Sequence, residues 1–443
     1  MWYGAGDETV TTGMIRAEWD PLKTVVVHRP GIEMFFGLLE PYASLYERAF
    51  SRYGARMEHE RMEQVLKREF GVDVIRLKEA ILEAADRDSR VRERLVAAAR
   101  ATLAIEGEKS ETAKAMAAIE EHALSLDSHH FFTMLLMSPR IELESGVGTR
   151  KIDLNITGRQ PLSNLYFVRD QQAVADRGLV ISRMAKPQRR REPEITKFLW
   201  DILGVPVIHE VRPPGTFEGG DFMPMKDFAL VGIGDRTNRS GVRQLLRSAL
   251  GFDEVGVVHQ PAHPLIPSHA PDPMINMHLD TYFNVASSGV VLASRLLIEQ
   301  AAVEVYHRTG QGKYERAAAT TDLFTYIREK GFEVIDLTTL EQLSYASNVL
   351  CIGDGVILAA EGERIMRNVL KNLESQAQRD MDRYGGLLEQ AKKDYRYLRN
   401  EGQFFPHKKE IYQHDIEAYA LKIENLTGGY GGAHCMTCAL ERG

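Results

Sequence analysis

Residues 277–294 read MHLDTYFNVASSGVVLAS, a stretch in which two short apolar runs are joined by Ser-Ser-Gly. Aromatic and β-branched residues favour strands, and the small turn residues favour a hairpin between them. A stretch that looks helical to about residue 330 follows, and then a further apolar run, FEVIDL, at 332–337. We therefore predict a unit made of a hairpin, helices and a third strand.

The same unit recurs along the chain. Its other hairpins are QQAVADRGLVISR (171–183), DFMPMKDFALVGI (221–233) and SNVLCIGDGVILAA (347–360), and apolar runs at 23–28 and 72–77 supply strands for one more unit. Recurrence every ~50–70 residues is typical of repeat folds whose units bury apolar faces against each other. About five units are expected, and an ordinary mixed α/β sheet is the alternative that this pattern leaves open.

Composition restricts the class of protein. Of the 443 residues, 44% are hydrophobic and 26% are charged, which favours a folded chain over disorder. The net charge of −7 gives no basic balance for nucleic acid. Three cysteines, Cys351, Cys435 and Cys438, are too few for a disulfide framework, so we expect a reducing, cytoplasmic location. Neither a signal peptide nor a membrane span is expected.

Two segments depart from the repeating pattern. Residues 78–137 are rich in Ala, Leu, Glu and Arg, which are strong helix formers, and predict an all-helical insertion. Residues 372–427 predict a charged helical segment in front of the glycine-rich stretch that follows them. We expect both segments to belong to a single α/β domain over residues 1–443.

Cys435 is the candidate nucleophile. It lies in GGYGGAHCMTCALERG (428–443), where glycines allow the backbone to approach a ligand closely. The alternatives are a buried structural cysteine or a redox pair with Cys438. A zinc site would need two more ligands, and no others of suitable spacing stand out, so no metal is expected. Cys351, in the apolar run NVLCIG, is interpreted as a core residue.

His278 and Asp280 lie in NMHLDTYF, where strand alternation places both side chains on one face. A histidine beside a carboxylate can perform acid/base chemistry and hold a cation. Further candidates stand in short polar motifs: Asp170 in NLYFVRD, Glu218 and Asp221 in TFEGGD, Arg189 in RRRE and Arg236 in GIGDRT. Taken singly, each of these residues is equally well explained without a functional role, as a surface residue or as a buried residue whose polar atoms are hydrogen-bonded.

Taken together, NLYFVRD, RRRE, FEGGD, GDRT, MHLDTYF and GGAHCMTC resemble arginine deiminase, within the guanidino-group-modifying superfamily. The resemblance covers nearly the whole chain, including the helical insertion. It implies a five-bladed α/β propeller of pseudo-fivefold ββαβ repeats. It also implies arginine and citrulline as the small-molecule substrate pair. The oligomeric state stays open, with a homo-oligomer as one alternative.

The resemblance implies a role for each motif residue. Cys435 matches the family nucleophile and His278 its general acid/base. Asp170 and Asp280 match the acids that hold the guanidinium, and Glu218 matches the acid that supports guanidinium and histidine. The family residues that recognise the amino-acid end of the substrate correspond to Asn164, Arg189 and Arg236.

Chemistry explains this set of residues. A guanidinium is planar and permanently charged, so carboxylates can hold its carbon against a sulfur atom. Attack by Cys435 and proton donation by His278 would release ammonia and leave a covalent amidino-thioether, which water then hydrolyses to citrulline. That cycle needs neither a metal nor an organic cofactor.

The sequence departs from the family pattern in two places. By spacing, Tyr430 stands where many deiminases carry an Arg, and the segment 372–427 is longer and more charged than is usual. Three alternatives to hydrolysis therefore stay open. One is a nucleotide-coupled reaction resembling arginine synthetase, which would use ATP/ADP, phosphate and Mg²⁺. The others are an amidinotransferase and an inactive arginine-binding sensor.

Overall fold

The chain adopts a mixed α/β fold in which short sheets alternate with helices. The computed structural model describes residues 13–123, 125–145, 152–267, 274–310 and 313–443. Its helices are α1 Ile32–Gly37, α2 Arg52–Arg68, α3 Leu77–Arg87, α4 Ser89–Thr102, α5 Lys109–Glu121, α6 Ser128–Met137, α7 Glu192–Leu203, α8 Arg239–Leu245, α9 Arg295–Ile298, α10 Leu323–Glu329, α11 Thr339–Leu343, α12 Gly362–Arg379, α13 Met381–Glu401 and α14 Lys409–Gln413.

The strands are short, and most of them are buried. They are β1 Leu22–Val27, β2 Asp73–Arg76, β3 Ala104–Gly107, β4 Arg140–Ser145, β5 Ile152–Gly158, β6 Gln172–Ala175, β7 Gly178–Ile181, β8 Val207–Glu210, β9 Phe222–Met225, β10 Phe228–Ile233, β11 Glu254–His259, β12 Phe283–Ser287, β13 Val290–Ala293, β14 Ala302–Arg308, β15 Tyr314–Asp322, β16 Glu333–Asp336, β17 Leu350–Gly353, β18 Val356–Ala360, β19 Glu417–Leu421 and β20 Cys438–Arg442. The predicted α/β class is confirmed.

Four of the sheets repeat one pairing pattern, in which two antiparallel hairpin strands are followed by a parallel third strand. These are β6-β7-β8, β9-β10-β11, β12-β13-β16 and β17-β18-β19. The sheet β20-β1-β2 has the same pattern, because β20 pairs antiparallel with β1 and β2 pairs parallel with it. Segments from opposite ends of the chain therefore complete one unit together.

The insertion at 78–137 is not all helical as predicted. Helices α3 to α6 account for most of it, but β3 lies between α4 and α5 and pairs parallel with β4, in the sheet β3-β4-β5. Alanine-rich sequence around residues 98–104 favours helix locally, and pairing with a strand beyond the predicted insertion outweighs that preference.

Two other helical expectations are also corrected. In the segment 372–427, α13 and α14 are helical, but β19 is a strand that pairs parallel with β18. Between residues 302 and 322, the expected helix is replaced by the hairpin β14–β15. This hairpin extends the sheet β9-β10-β11 to five strands, because β14 pairs antiparallel with β11. In both cases a neighbouring strand edge supplies backbone partners that a sequence window does not contain.

In the part of the chain that the structure describes, no helix combines the length and the apolar character that crossing a membrane requires.

The turn Gly219–Asp221 lies against the backbone of the preceding unit. A Cβ atom on Gly219 would overlap the carbonyl oxygens of Arg169 and Gln172, so glycine is required there by close approach rather than by its φ angle. The turn can keep its place only with a glycine at this position.

We predict that Gly219→Ala lowers the free energy of unfolding by about 2 kcal/mol or more, because backbone atoms must move to admit the methyl group. Gly289→Ala is the matched control, since a Cβ there would meet no atom within 4 Å. Urea unfolding of both variants measures the difference. Equal stability of the two variants would contradict the packing described here.

Candidate active site

Cys435 lies in the turn that leads into β20, and the side chain of Asn348 holds it. Asn348 Oδ1 accepts hydrogen bonds from the backbone N–H groups of Gly432 (2.8 Å) and Cys435 (3.0 Å). Its Nδ2 donates to Cys435 Sγ over 3.1 Å. One buried amide therefore fixes the loop and contacts the sulfur. The sequence analysis missed Asn348.

His278, Glu218 and Asp170 meet next to this loop. His278 Nε2 is 2.9 Å from Glu218 Oε2, and its Nδ1 is 3.7 Å from Asp170 Oδ1. The turns that carry them are joined by Asp221, whose Oδ1 accepts from the N–H of Leu279 over 3.0 Å. This bond explains how two segments far apart in sequence hold one geometry.

The charge state of His278 follows from these neighbours. Burial would lower the pKa of His278, but the carboxylates, Asp170 first and Glu218 next, outweigh burial and raise the pKa to about 9. Burial would likewise raise the pKa of Glu218, and the hydrogen bond with His278 together with Arg236 lowers it instead. The pair is therefore an imidazolium and a carboxylate at neutral pH.

Asp280 approaches the sulfur from the same side of the loop. Its Oδ2 accepts from His434 Nδ1 over 2.8 Å and lies 3.5 Å from Cys435 Sγ. The other oxygen, Oδ1, accepts no hydrogen bond from the residues that the structure describes, and neither does Asp170 Oδ1. Each of these acids therefore keeps one buried oxygen without a hydrogen bond, and His278 Nδ1 lies 3.7 Å from that of Asp170.

The thiol of Cys435 is surrounded by negative charge. Burial is the largest influence and raises its pKa well above the usual range, and Asp280 and Asp170 raise it further. The hydrogen bond from Asn348 acts in the opposite direction. Unless a further cation binds beside these acids, the protonated thiol is the favoured form.

The two predicted arginines also reach this cluster. Arg189 Nη1 donates to Asp170 Oδ2 over 2.7 Å, and the rest of its guanidinium forms a fork on Glu192, with Nη2 2.8 Å from Oε2. Arg236 Nη1 lies 3.9 Å from Glu218 Oε2. Both side chains are buried.

The predicted Asn164 is buried, but its amide donates to the carbonyl oxygen of Ser44 over 2.7 Å. Tyr430 adopts a left-handed backbone conformation with φ of 70° and ends the short helical turn Leu426–Gly429 before the nucleophile loop. The structure therefore places Tyr430 in the segment that leads to Cys435.

Spacing alone would let Asp170, Glu218 and His278 hold a metal ion, since one ligand atom from each lies within 4.8 Å of the others. At neutral pH, a histidine whose pKa is raised to about 9 is protonated on both ring nitrogens, so a metal could bind His278 only by displacing a proton.

The other two cysteines are separate from this chemistry. Cys351 and Cys438 are free and buried, and burial raises the pKa of each to about 12. Cys351 Sγ contacts the carbonyl oxygen of Gly353 at 3.1 Å, in the core position that its apolar surroundings predict.

All the chemical groups of the cluster share one position in the repeating unit. Asp170 precedes β6, Asp221 precedes β9, Asp280 precedes β12 and Asn348 precedes β17, each by one to three residues, and Cys435 precedes β20 by three. Glu218 and His278 lie a few residues further upstream. A search for polar residues directly before each predicted hairpin would have found Asn348.

We predict that the imidazole of His278 titrates near 9 in the free protein, and that Glu218→Gln moves its pKa downward, because a charge-assisted partner of the imidazolium is lost. Nitrogen-15 NMR of the side chain measures both values. His209, a half-buried residue near the amide of Gln244, provides the internal control. A His278 pKa that does not respond to Glu218→Gln would refute the electrostatic account.

Comparison with known proteins identifies the family. The arginine deiminase family model matches residues 43–442. An arginine deiminase from Halobacterium salinarum is 25% identical, with 96% of each chain covered. One from Staphylococcus epidermidis is 26% identical and covers 81% of this chain and 90% of its own length.

Among solved structures, AgrE in a ternary complex with ornithine and NAD⁺ superposes with a TM-score of 0.51 at 12% identity, over 95% of this chain and 39% of AgrE. This likeness is one of fold. The match of the family model over most of the residues, with the buried cysteine, histidine and carboxylates in contact, leads to one conclusion: this chain belongs to the arginine deiminase family.

Proposed function

We propose that this protein hydrolyses arginine to citrulline and ammonia through a covalent intermediate on Cys435. One observation carries the proposal. Asp170 and Asp280, the two acids that raise the pKa of Cys435, each keep one buried carboxylate oxygen that accepts no hydrogen bond from the described residues. A planar cation with several N–H donors is the ligand that such a pair of oxygens requires. The arginine deiminase relatives support the same substrate.

Substrate binding would also activate the nucleophile. The carboxylates that raise the pKa of Cys435 are the groups that a guanidinium would neutralise, so the bound cation favours loss of the thiol proton to solvent, since His278 is already protonated. The thiolate can then attack the guanidinium carbon, forming an S–C bond. The substrate guanidinium thereby favours the thiolate form of Cys435 that attacks it.

His278 would supply the next proton. Its raised pKa keeps it protonated at neutral pH, so it can donate a proton to the nitrogen that leaves as ammonia when the C–N bond breaks. The neutral imidazole then takes a proton from water, whose oxygen attacks the same carbon. Release of the sulfur as thiolate gives citrulline and restores the site.

In this proposal, the amino-acid end of the substrate binds to Arg236, Arg189 and Asn164. Arg236 is less compensated than Arg189, since Glu218 Oε2 lies 3.9 Å from its Nη1, Asp235 Oδ2 lies 3.4 Å from its Nε, and Met274 Sδ lies 3.7 Å from its Nη2. Arg189 is already held by Glu192 and by Oδ2 of Asp170, so it would have to leave Asp170 to bind a substrate carboxylate. After displacement, Glu192 would still hold Arg189.

We further propose that the repeated sheets form the blades of a five-bladed α/β propeller around this site. The support is that five sheets share one pairing pattern and that each contributes a polar or thiol group from the residues before a corresponding strand. The edge strand β5 exposes Ile152, Leu154 and Ile156 on one face, which favours a homo-oligomer. The three free cysteines favour the cytoplasm.

The segment 372–427 carries several cations, and two of them are held by acids. Lys408 is buried against Glu341 at 3.0 Å, and Lys392 lies 2.8 Å from Glu374. The reaction we propose is hydrolysis without a cofactor, on the support of the arginine deiminase relatives. ATP/ADP, phosphate and Mg²⁺ enter only as a test of the alternative.

The first experiment measures citrulline and ammonia from arginine alone, then with ADP, phosphate and Mg²⁺, then with added amines. We expect stoichiometric citrulline and ammonia in the first condition and no ATP in the second. Citrulline that appears only with ADP and phosphate would replace hydrolysis by the coupled reaction. A new amidino product would identify an amidinotransferase, and binding without turnover would identify a sensor.

We predict that Cys435→Ala abolishes turnover, with a loss of roughly 10⁴-fold or more as for a covalent nucleophile. Cys351→Ala serves as the matched control, because Cys351 is buried but lies apart from the cluster, and it should retain most of the activity. Mass spectrometry of rapidly quenched wild-type protein with arginine should find the amidino adduct on residue 435. Near wild-type ammonia release by Cys435→Ala would exclude the covalent route.

We predict that Asp170→Asn and Asp280→Asn each lower kcat/KM by roughly 30-fold or more, which is about 2 kcal/mol, the size of a lost charge-assisted contact. Asp227→Asn provides a control at an exposed acid in the turn between β9 and β10. Steady-state kinetics on folded variants decide the matter. An Asn variant at position 170 or 280 with unchanged kcat/KM would remove that residue from guanidinium binding.

A further inference from the structure

A second layer of buried charge lies behind Asp280. His434 directly precedes the nucleophile in sequence, and its ring stands between two carboxylates. Its Nδ1 is 2.8 Å from Asp280 Oδ2, and its Nε2 is 3.6 Å from Glu18 Oε1. All three side chains are almost completely buried. The ring is therefore held from both sides by negative groups.

Glu18 is itself fixed by two arginines. Arg169 Nη2 contacts its Oε1, and Arg442 Nη2 lies 3.2 Å from its Oε2. Burial opposes the ionised form, but Arg169 first and His434 next lower the pKa of Glu18 well below its usual range. Glu18 is thus a permanently charged anchor for the Nε2 side of the ring.

The anchor is built from residues next to the reacting groups. Arg169 precedes Asp170, His434 precedes Cys435, and Arg442 lies on β20, which starts three residues after Cys435. The guanidinium of Arg442 also donates to the carbonyl oxygen of Cys351 over 2.8 Å. A displacement in this layer would therefore move the acids and the sulfur relative to each other.

We propose that His434 is a positioning residue for catalysis: by holding Asp280 Oδ2, it turns the unpartnered Asp280 Oδ1 toward the substrate guanidinium, while Glu18 keeps the ring in place. This inference rests on the proposed function, because the proposed substrate supplies the guanidinium that Asp280 Oδ1 would bind. A carboxylate held at one oxygen loses its freedom to rotate before the substrate arrives. The advantage is preorganisation, which limits the cost of ordering the site on binding.

The hydrogen bond also keeps Asp280 ionised. Burial would raise the pKa of Asp280, but the bond from His434 is the leading opposing influence and the pKa is lowered. The charged and titratable groups that face the pair are Glu18, Arg169, Arg442, His278 and Cys435. Without His434, Asp280 would be a buried carboxylate that binds a proton more readily.

Two substitutions separate positioning from packing. His434→Asn places an amide donor near the position of Nδ1, and His434→Gln places one near the position of Nε2. Both remove the ring and its volume. If His434 acts through Asp280, only the Asn variant should retain function; if the ring merely fills space, the two variants should behave alike.

We expect His434→Asn to stay within roughly threefold of wild-type kcat/KM and His434→Gln to lose roughly 30-fold, mostly through a higher KM, since Asp280 holds the guanidinium before and during reaction. The acidic limb of the kcat/KM profile should move to higher pH in the Gln variant only. Thermal unfolding of both variants establishes that they are folded. Equal losses, or an unmoved acidic limb in the Gln variant, would overturn the inference.

A readout without turnover separates this inference from the proposed function. Carbon-13 NMR of the Asp280 carboxylate should give a higher pKa in His434→Gln than in wild-type protein or in His434→Asn. If wild-type protein does not convert arginine, the proposed function fails, and the carboxylate pKa still decides whether His434 governs Asp280. An Asp280 pKa that is the same in all three proteins would refute the role.

Discussion

Asp170, Glu218 and Asp280 are buried away from water, and a buried carboxylate is stable only where cations and donors replace its lost hydration. Each has a partner of its own in Arg189, His278 and His434, respectively. The compensation is incomplete at one oxygen of Asp170 and one of Asp280, which accept no hydrogen bond from the described residues. The site therefore offers two buried acceptors that the N–H groups of a guanidinium can fill.

The repeating unit explains why these groups meet. The first strand of a unit follows two or three residues after Asp170, Asp280, Asn348 and Cys435, so a common backbone geometry brings chemically different side chains to corresponding places. This position accommodates a carboxylate in one unit, an amide in another and a thiol in a third. The repeat fixes location, and the local sequence fixes the chemistry at each location.

Sequence reasoning recovered most of this arrangement. Hairpins such as DFMPMKDFALVGI combine strand-forming residues with turn residues, and both signals are local, so β9 and β10 could be predicted. Cys435, His278 and the three acids could be identified because they stand in distinctive motifs. Their contacts bear out that these residues meet, while their individual roles remain predictions.

The elements that escaped prediction depend on distant partners. Strands β3, β14, β15 and β19 contain or adjoin alanine-rich or charged sequence that favours helix, and pairing with remote strands determines their state. The role of Asn348 escaped prediction for the same reason. Its importance comes from three hydrogen bonds to a loop more than 80 residues later, and an asparagine before an apolar run gives no chemical signal by itself.

The sheet that joins β20 to β1 has a consequence for biosynthesis. Ribosomes make β1 early and β20 more than 400 residues later, after the acids, the histidine and Cys435. In the native sheet, one edge of β1 must therefore stay available for β20 throughout that interval. The native surroundings of Cys435, three residues before β20, thus depend on a strand made long before it.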